Sequence, residues 1–364
     1  VKSSIFYILF FYSCVLGIQS SGFLYIDYDF FNVSTVPFFS SFIITSLLIK
    51  RMGLSNFSIS FDISWIGGVC KLSIMISIFI ILLTLPQGSR DEKLEAISGN
   101  IVIYYLSFIN TAFIIIILSS MFQPYQKKYD DKTLTLIVLA VLFSVFMSYS
   151  RSLAFFLVIS VLLSGIEISF SKRKLALFIA PFLFLILVMP LFQGRTDDYG
   201  FAMVRTLQNL YFYNAFPFYL GESLLYEPEK FHGLSLGYPG YIVSKFFGTP
   251  LDSNAFFDQR VLYDFVNLGT SASYGDINAN VMYPTWAVVS VDFGVWAFLA
   301  YAFTTLIIMI LLYNKFTIIG CWLYFRFYVL GFMVSPFILR DTVFEFLIVV
   351  LLQFLFYKKR FIFR

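Results

Sequence analysis

The sequence predicts an all-α, polytopic membrane protein with about ten transmembrane helices and one large loop on the outer side of the membrane. Three observations predict this. First, 59% of the 364 residues are hydrophobic and 13% are charged, where a soluble domain carries roughly 25% charged residues; mean hydropathy is +0.84. Second, apolar runs recur from end to end, several reaching the ~17 residues that cross a hydrocarbon core of about 30 Å. Third, the cations in the loops alternate in number from one side to the other.

The runs place spans at about 4–23, 33–49, 65–85, 101–121, 133–149, 153–169, 175–192, 285–313, 317–337 and 342–357. The first lacks a small-residue cleavage site and is followed by further spans, so it reads as a helix rather than a leader. Cytoplasmic loops then carry Lys50 and Arg51, Lys127, Lys128 and Lys132, Lys172, Arg173 and Lys174, and Lys315, with Lys358, Lys359, Arg360 and Arg364 in the tail. The short outer loops carry Arg90 and Lys93, Arg151 alone, and Arg340 alone. By the positive-inside rule both termini are cytoplasmic, and moving one span would put a Lys/Arg cluster on the wrong side. Lys71 and Arg326 fit least well. Lys71 snorkels to the inner interface in this scheme, and Arg326 lies deep enough to be either paired or functional.

The chain therefore divides into helices 1–7 over 1–192, a large loop over 193–284, and helices 8–10 over 285–364, all one integral membrane domain. In the loop Gly, Pro, Asp, Asn and Tyr become frequent. Arg195, Arg205, Lys230, Lys245 and Arg260 stand there against nine acids, so the loop is acidic while the chain as a whole is +4. Its richness in Phe, Tyr and Leu argues against disorder, and a connection this long is functional when it is ordered. Phe201, Val204, Leu207 and Tyr211 have helical spacing, which predicts an amphipathic interfacial helix over about 201–216.

Several chemistries are excluded or weak. Cys14, Cys70 and Cys321 lie in or beside apolar stretches and are odd in number, so no disulfide framework or metal spacing emerges. Asp27-Tyr28-Asp29 and Asp197-Asp198 are short acidic pairs of the kind that hold a divalent ion, yet each reads first as a solvated loop. There is no phosphate loop, no dinucleotide glycine fingerprint and no Ser/His/Asp set, and no basic patch interleaved with aromatics for nucleic acid. No cofactor and no metal are expected. The 48 Phe and 24 Tyr face lipid, neighbouring helices or the interfacial belts by default.

The arginines are more pointed. Arg151 sits in Ser150-Arg151-Ser152 at an outer turn, Arg340 in Leu339-Arg340-Asp341 at a similar depth, and Arg195 follows the seventh span in Gln193-Gly194-Arg195. Arg205 and Arg260 are in the large loop. Guanidinium forks at membrane depth suit a phosphate-bearing lipid, because they bind its oxygens bidentately and the low dielectric strengthens the contact. His232, the one histidine, is in the same loop and could act as a base near neutral pH.

The loop ends Tyr274-Gly275-Asp276-Ile277-Asn278-Ala279-Asn280-Val281-Met282-Tyr283-Pro284-Thr285-Trp286 and runs on to Ser290-Val291-Asp292-Phe293-Gly294. This stretch resembles bacterial O-antigen polymerases of the Wzy type. So do Ser150-Arg151-Ser152 in its tight turn, Gly194-Arg195 opening the large loop, the span count and the loop position. The resemblance covers essentially the whole chain, as architecture plus short motifs. It implies a GT-C-like helical fold in the bacterial inner membrane and lipopolysaccharide biosynthesis on the periplasmic face. It also implies metal-independent glycosyl transfer: a glycan on undecaprenyl pyrophosphate moves onto a fresh lipid-linked repeat unit, with lipid pyrophosphate leaving. Implied partners are that lipid-linked glycan, membrane lipid and a polysaccharide chain-length regulator; nucleic acid is not one. Motif position carries over Arg151, Arg195, Asn280 and Asp292, while Arg205, Arg260 and Arg340 rest on charge and depth. His232, Asp276 and Asp292 are the alternatives for a general base. An O-antigen ligase and a flippase or transporter of lipid-linked sugar are the rival readings; transporters usually show two related halves, and this chain shows no such symmetry.

Overall fold

The computed structural model describes residues 64–85, 90–122, 129–148, 152–164, 214–225, 235–247, 266–271, 275–279, 283–313, 316–336 and 338–362, with a few isolated positions besides. They form two compact units. One comprises 64–164, 317–322 and 345–362, and the other 214–316 and 323–344, within these described residues.

In the first unit, helices α1 (Ser64–Thr84), α3 (Ile101–Ser120) and α4 (Asp131–Ser148) pack against one another, and α5 (Ser152–Ser164) lies against α3 and α4. Between α1 and α3 the charged stretch of the predicted loop forms a helix of its own, α2 (Arg90–Gly99). It stops at Asn100, whose Oδ1 accepts from the N–H groups of Val102 and Ile103 and so satisfies two donors that open α3. Ile97 of α2 is buried with Ile80 and Met147, which fixes this short helix to the ends of α1 and α4. Across the next connection the Tyr129 hydroxyl donates to the Ser120 carbonyl at 3.0 Å. Burial pushes this phenol above its usual range, and the hydrogen bond acts in the opposite sense. Asp130 Oδ2 accepts from the Thr133 N–H at the start of α4. A side-chain hydrogen bond with Thr133 and, to a lesser degree, this backbone bond hold the carboxyl below the usual range.

The helices are inverted relative to those of a water-soluble protein. Along α1, Leu72, Met75, Phe79, Leu82 and Leu83 are exposed while Ser73, Ser77 and Thr84 are fully buried. Helix α11 (Arg340–Ile362) exposes Phe344, Leu347, Leu351, Phe354 and Leu355 and buries Thr342, Glu345 and Gln353. Polar groups turned inward and apolar groups turned outward are what an apolar solvent selects. Of these buried groups, Ser73, Ser77, Thr84, Glu345 and Gln353 each take part in a hydrogen bond. Asn110 of α3 donates from Nδ2 to Ser77 Oγ at 3.0 Å and Ser144 Oγ at 2.8 Å, and its Oδ1 accepts from Ser73 Oγ at 2.7 Å. One amide thereby links three helices. Glu345 accepts from the Trp322 indole N–H. Gln353 Oε1 accepts from the N–H groups of Ile318 and Ile319, capping α10 (Thr317–Tyr324) from a different helix.

Asn110→Ala is expected to lower the stability of the folded protein in bilayer or detergent by about 1–2 kcal/mol, because it removes the acceptor of Ser73 Oγ and the shared donor to Ser77 and Ser144, which keep only their bond to each other. Steric trapping or thermal unfolding in detergent measures it. A change indistinguishable from that of Thr111→Ala, one position along the same helix, would contradict the network's role.

The second unit holds helix α6 (residues 214–225), α7 (Gly237–Phe246), a hairpin of β1 (Val266–Ser271) and β2 (Gly275–Ala279), α8 (Thr285–Phe293) and α9 (Ala297–Tyr313). The strands are antiparallel, with Val266 opposite Ala279 and Ser271 opposite Gly275, and a bulge interrupts them between Asn267 and Thr270. The chain passes from α8 to α9 through a 3-10 turn, Gly294–Trp296.

Thus the fold is helical, and among the described residues four helices are long and apolar enough to cross a membrane: Trp65–Thr84, Ile101–Ser120, Asp131–Ser148 and the broken Thr285–Leu312. Two shorter apolar helices, Ser152–Ser164 and Thr317–Val329, accompany them. The ninth predicted span, 317–337, is helical only in its first part. It widens into a π turn at Phe325–Val329 and continues as turns and bends over 330–336.

Candidate functional site

The site is built where the large connecting segment runs into α8. Pro284 ends the extended approach, with φ −75° and ψ 152°, and its carbonyl accepts from Ala287 and Val288. A buried helix start leaves N–H groups in need of partners. Here the backbone of the 331–335 stretch supplies one, because Thr285 N–H donates to the Gly331 carbonyl at 2.7 Å. Ser335 N–H donates in return to the Tyr283 carbonyl at 2.7 Å. This two-rung clamp holds the first turn of α8 against the irregular part of 317–337. Just before the clamp, the π turn carries Arg326, half-buried, with Leu330 N–H bonded five residues back to Phe325. A π turn is rare and concentrates at functional positions. Tyr328 of the same turn shares a hydrogen bond with Thr305 of α9.

On the other flank of α8 lies α6. Its Gly221 backbone faces the Trp286 indole so closely that a Cβ there would sit 2.6 Å from the ring's Cη2. Phe218 meets the same ring at 6.2 Å between centroids. Next to Gly221 comes Glu222, fully buried, with Tyr219 and Asn214 also buried on this helix. Burial, and then the Glu222 carboxylate, push the Tyr219 phenol above its usual range. Two oxygen-rich side chains are thus enclosed one turn apart, beside the start of a membrane-length helix.

Asp292 sits at the far end of α8, half-buried, and its Oδ2 accepts from the Ser235 backbone N–H. That bond ties the large segment to α8 over 57 positions of sequence. Immediately beyond, Gly294 has φ +51° and ψ −127°, a backbone conformation reserved for glycine. A Cβ there would meet nothing within 4 Å, so the requirement is for backbone freedom and not for space. The tripeptide Asp292-Phe293-Gly294 therefore marks the break in Thr285–Leu312.

The structure treats the predicted residues unequally. Asp292 is placed in the junction. Asp276 stands on β2, exposed, opposite Thr270 in the hairpin. Arg340 begins α11, and its side chain lies outside the described residues. Arg151, Arg195, Arg205, His232, Arg260 and Asn280 lie outside them too, as does the predicted 201–216 helix except its last three residues, which are helical and buried. Among the described residues no group of three His, Cys, Asp or Glu could hold a metal ion.

Sequence reasoning missed Glu222, Tyr219 and Trp286. A signal for the first was present: Asn214 to Leu225 is otherwise almost wholly apolar, so an acid there has no solvated face to occupy. Fold and burial pattern together define the class, a helical membrane protein with several spans. Compared with protein-family models, curated proteins and solved structures, the chain matches none.

Proposed function

We propose that this chain is an O-antigen polymerase, a GT-C-like glycosyltransferase of about ten spans with both termini in the cytoplasm of a bacterial inner membrane. The observation that carries the reading is the Asp292 junction. The Asp-Phe-Gly motif that resembles the Wzy type coincides with a break in a membrane-length helix, and the large segment is fastened there by Ser235. A lipid-linked substrate presents its reacting bond at that kind of place, between acyl chains and water.

In this reading an acceptor sugar hydroxyl attacks the anomeric carbon of the glycan carried on lipid pyrophosphate. The new glycosidic bond forms as the bond to the pyrophosphate oxygen breaks. The hydroxyl proton passes to a base, and the leaving diphosphate takes up the electron pair. Arg151 and Arg195 stabilise that growing negative charge, as preorganised donors do, and Arg205, Arg260, Arg340 and Asn280 hold the substrate. The candidate bases are His232, Asp276 and Asp292. Asp292 has the advantage of a fixed position, and Glu222 joins the list because of its burial beside Tyr219.

The test is reconstitution of the purified protein in vesicles with a synthetic undecaprenyl-pyrophosphate repeat unit, in EDTA. Products longer by whole repeat units, with release of lipid pyrophosphate, are expected. Asp292→Asn keeps an acceptor for the Ser235 N–H and removes the base, so it is expected to fold normally and to lose about 10²- to 10⁴-fold in rate. Wild-type rate in that variant would make Asp292 an anchor only. Transfer to a lipid A–core acceptor without extension would favour a ligase, and movement of the lipid-linked unit across the bilayer without bond formation would favour a flippase.

A further inference from the structure

We propose that α7 is an interfacial helix that, with its flanking residues, inserts Leu236, Val243, Phe246 and Phe247 into the bilayer leaflet beside the break at Gly294 in Thr285–Leu312. The pattern of α7 is the reverse of a helix facing water. Its buried positions are the small ones, Gly237, Gly240 and Ser244, at spacings that share one helix face. The exposed positions of α7 and its two flanking residues are, Lys245 apart, large and apolar, with Phe246 at 85% and Phe247 at 80% exposure and Leu236 and Val243 above half. A polar end accompanies them. Lys245 lies in the last turn with its Nζ 5.4 Å from the Tyr241 ring, and Tyr238 and Tyr241 lie side by side. Lysine and tyrosine next to inserted phenylalanines are the composition of a helix lying at the headgroup level.

Position supplies the second, independent support. Thr285 to Val289 are buried, whereas Phe293, Val295, Trp296, Phe298, Leu299 and Phe303 are exposed. From Phe293 to Leu312 the chain has about 20 residues, which at 1.5 Å each gives about 30 Å, the hydrocarbon thickness. The edge of the bilayer therefore falls at Asp292–Phe293, with Trp296 just inside it as an interfacial aromatic. The Ser235–Asp292 bond sets the residue before Leu236 at that same edge. The exposed face of α7 thus continues the lipid-facing surface of the span, and the occupant it fits is the acyl-headgroup boundary of the same leaflet.

The experiment uses the full chain, with Cys14, Cys70 and Cys321 replaced, in vesicles of phosphatidylethanolamine and phosphatidylglycerol. Nitroxide labels go on Phe246→Cys and Phe247→Cys, with Phe303→Cys as the lipid control and Asp276→Cys as the aqueous control. The ratio of collision rates with oxygen and with a water-soluble nickel chelate is expected to be several-fold higher at 246 and 247 than at 276, and to approach that at 303. A ratio equal to that at 276 would overturn the proposal. So would inaccessibility to both reagents, which would mean that protein covers the face. If cysteine replacement impairs folding, Phe246→Trp in the native-cysteine chain with brominated lipids gives the same reading. Added emission that the brominated lipids fail to quench would overturn it equally. Neither readout depends on glycosyl transfer, so the outcome stands apart from the proposed activity.

Discussion

Under the proposed polymerase activity, Arg195→Ala and Arg151→Ala are each expected to slow chain extension by about 10²- to 10³-fold, the typical cost of removing one preorganised donor from a developing oxyanion. The expectation rests on charge. Breaking the anomeric bond leaves extra negative charge on a diphosphate at the membrane surface, where few cations are available to receive it. Arg195→Lys keeps the charge but loses the planar fork, so it should rescue poorly. Glycan length distributions from cells, with membrane levels of each variant matched, are the measurement. A wild-type modal length in both alanine variants would remove the arginines from the mechanism.

The second large effect concerns α6. Gly221→Ala places a methyl group 2.6 Å from Cη2 and 2.9 Å from Cζ2 of Trp286, and 3.1 Å from the Ala287 Cβ. Trp286 is almost fully buried, so its ring has little room to yield, and overpacking of this kind costs about 3 kcal/mol. Phenylalanine at 286 lacks both of those ring atoms. The double variant Gly221→Ala/Trp286→Phe is therefore expected to be more stable than the two single changes summed, by about 0.5–3 kcal/mol. Thermal unfolding of the four proteins in one detergent decides it, and strict additivity would contradict the close approach of α6 and α8.

How far the sequence reached follows from what hydropathy can register. The predicted runs 65–85, 101–121 and 133–149 appear as Ser64–Thr84, Ile101–Ser120 and Asp131–Ser148, because a long apolar segment has one stable form in lipid. The run 317–337 is equally apolar, yet its backbone leaves the α-helix at Phe325. Hydropathy sums side chains and is blind to a hydrogen bond that slips from the fourth residue to the fifth. Gly331 and Pro336 were the available warnings. Arg90–Gly99 reads as loop since its charges suit water, although an exposed helix suits them equally.

The connecting segment was least legible. Gly237, Pro239 and Gly240 signal a turn, and there they open a helix whose small residues permit close packing. The strands of the hairpin carry no alternation that would announce them. At the site, Asp292 was visible as an acid near the end of an apolar run. Glu222 was legible only as a lone acid in an apolar stretch, with no spacing to mark a role, and its enclosure singles it out.

The amide of Asn110 bears on how the protein is made. Released one at a time into lipid, α1 would expose two serine hydroxyls, α3 an unpaired carboxamide and α4 a further hydroxyl. Each is a tax on solitary insertion that disappears when the three helices leave the insertion machinery as a group. The three helices are accordingly expected to enter the bilayer together, with Ser144 of α4 completing the set.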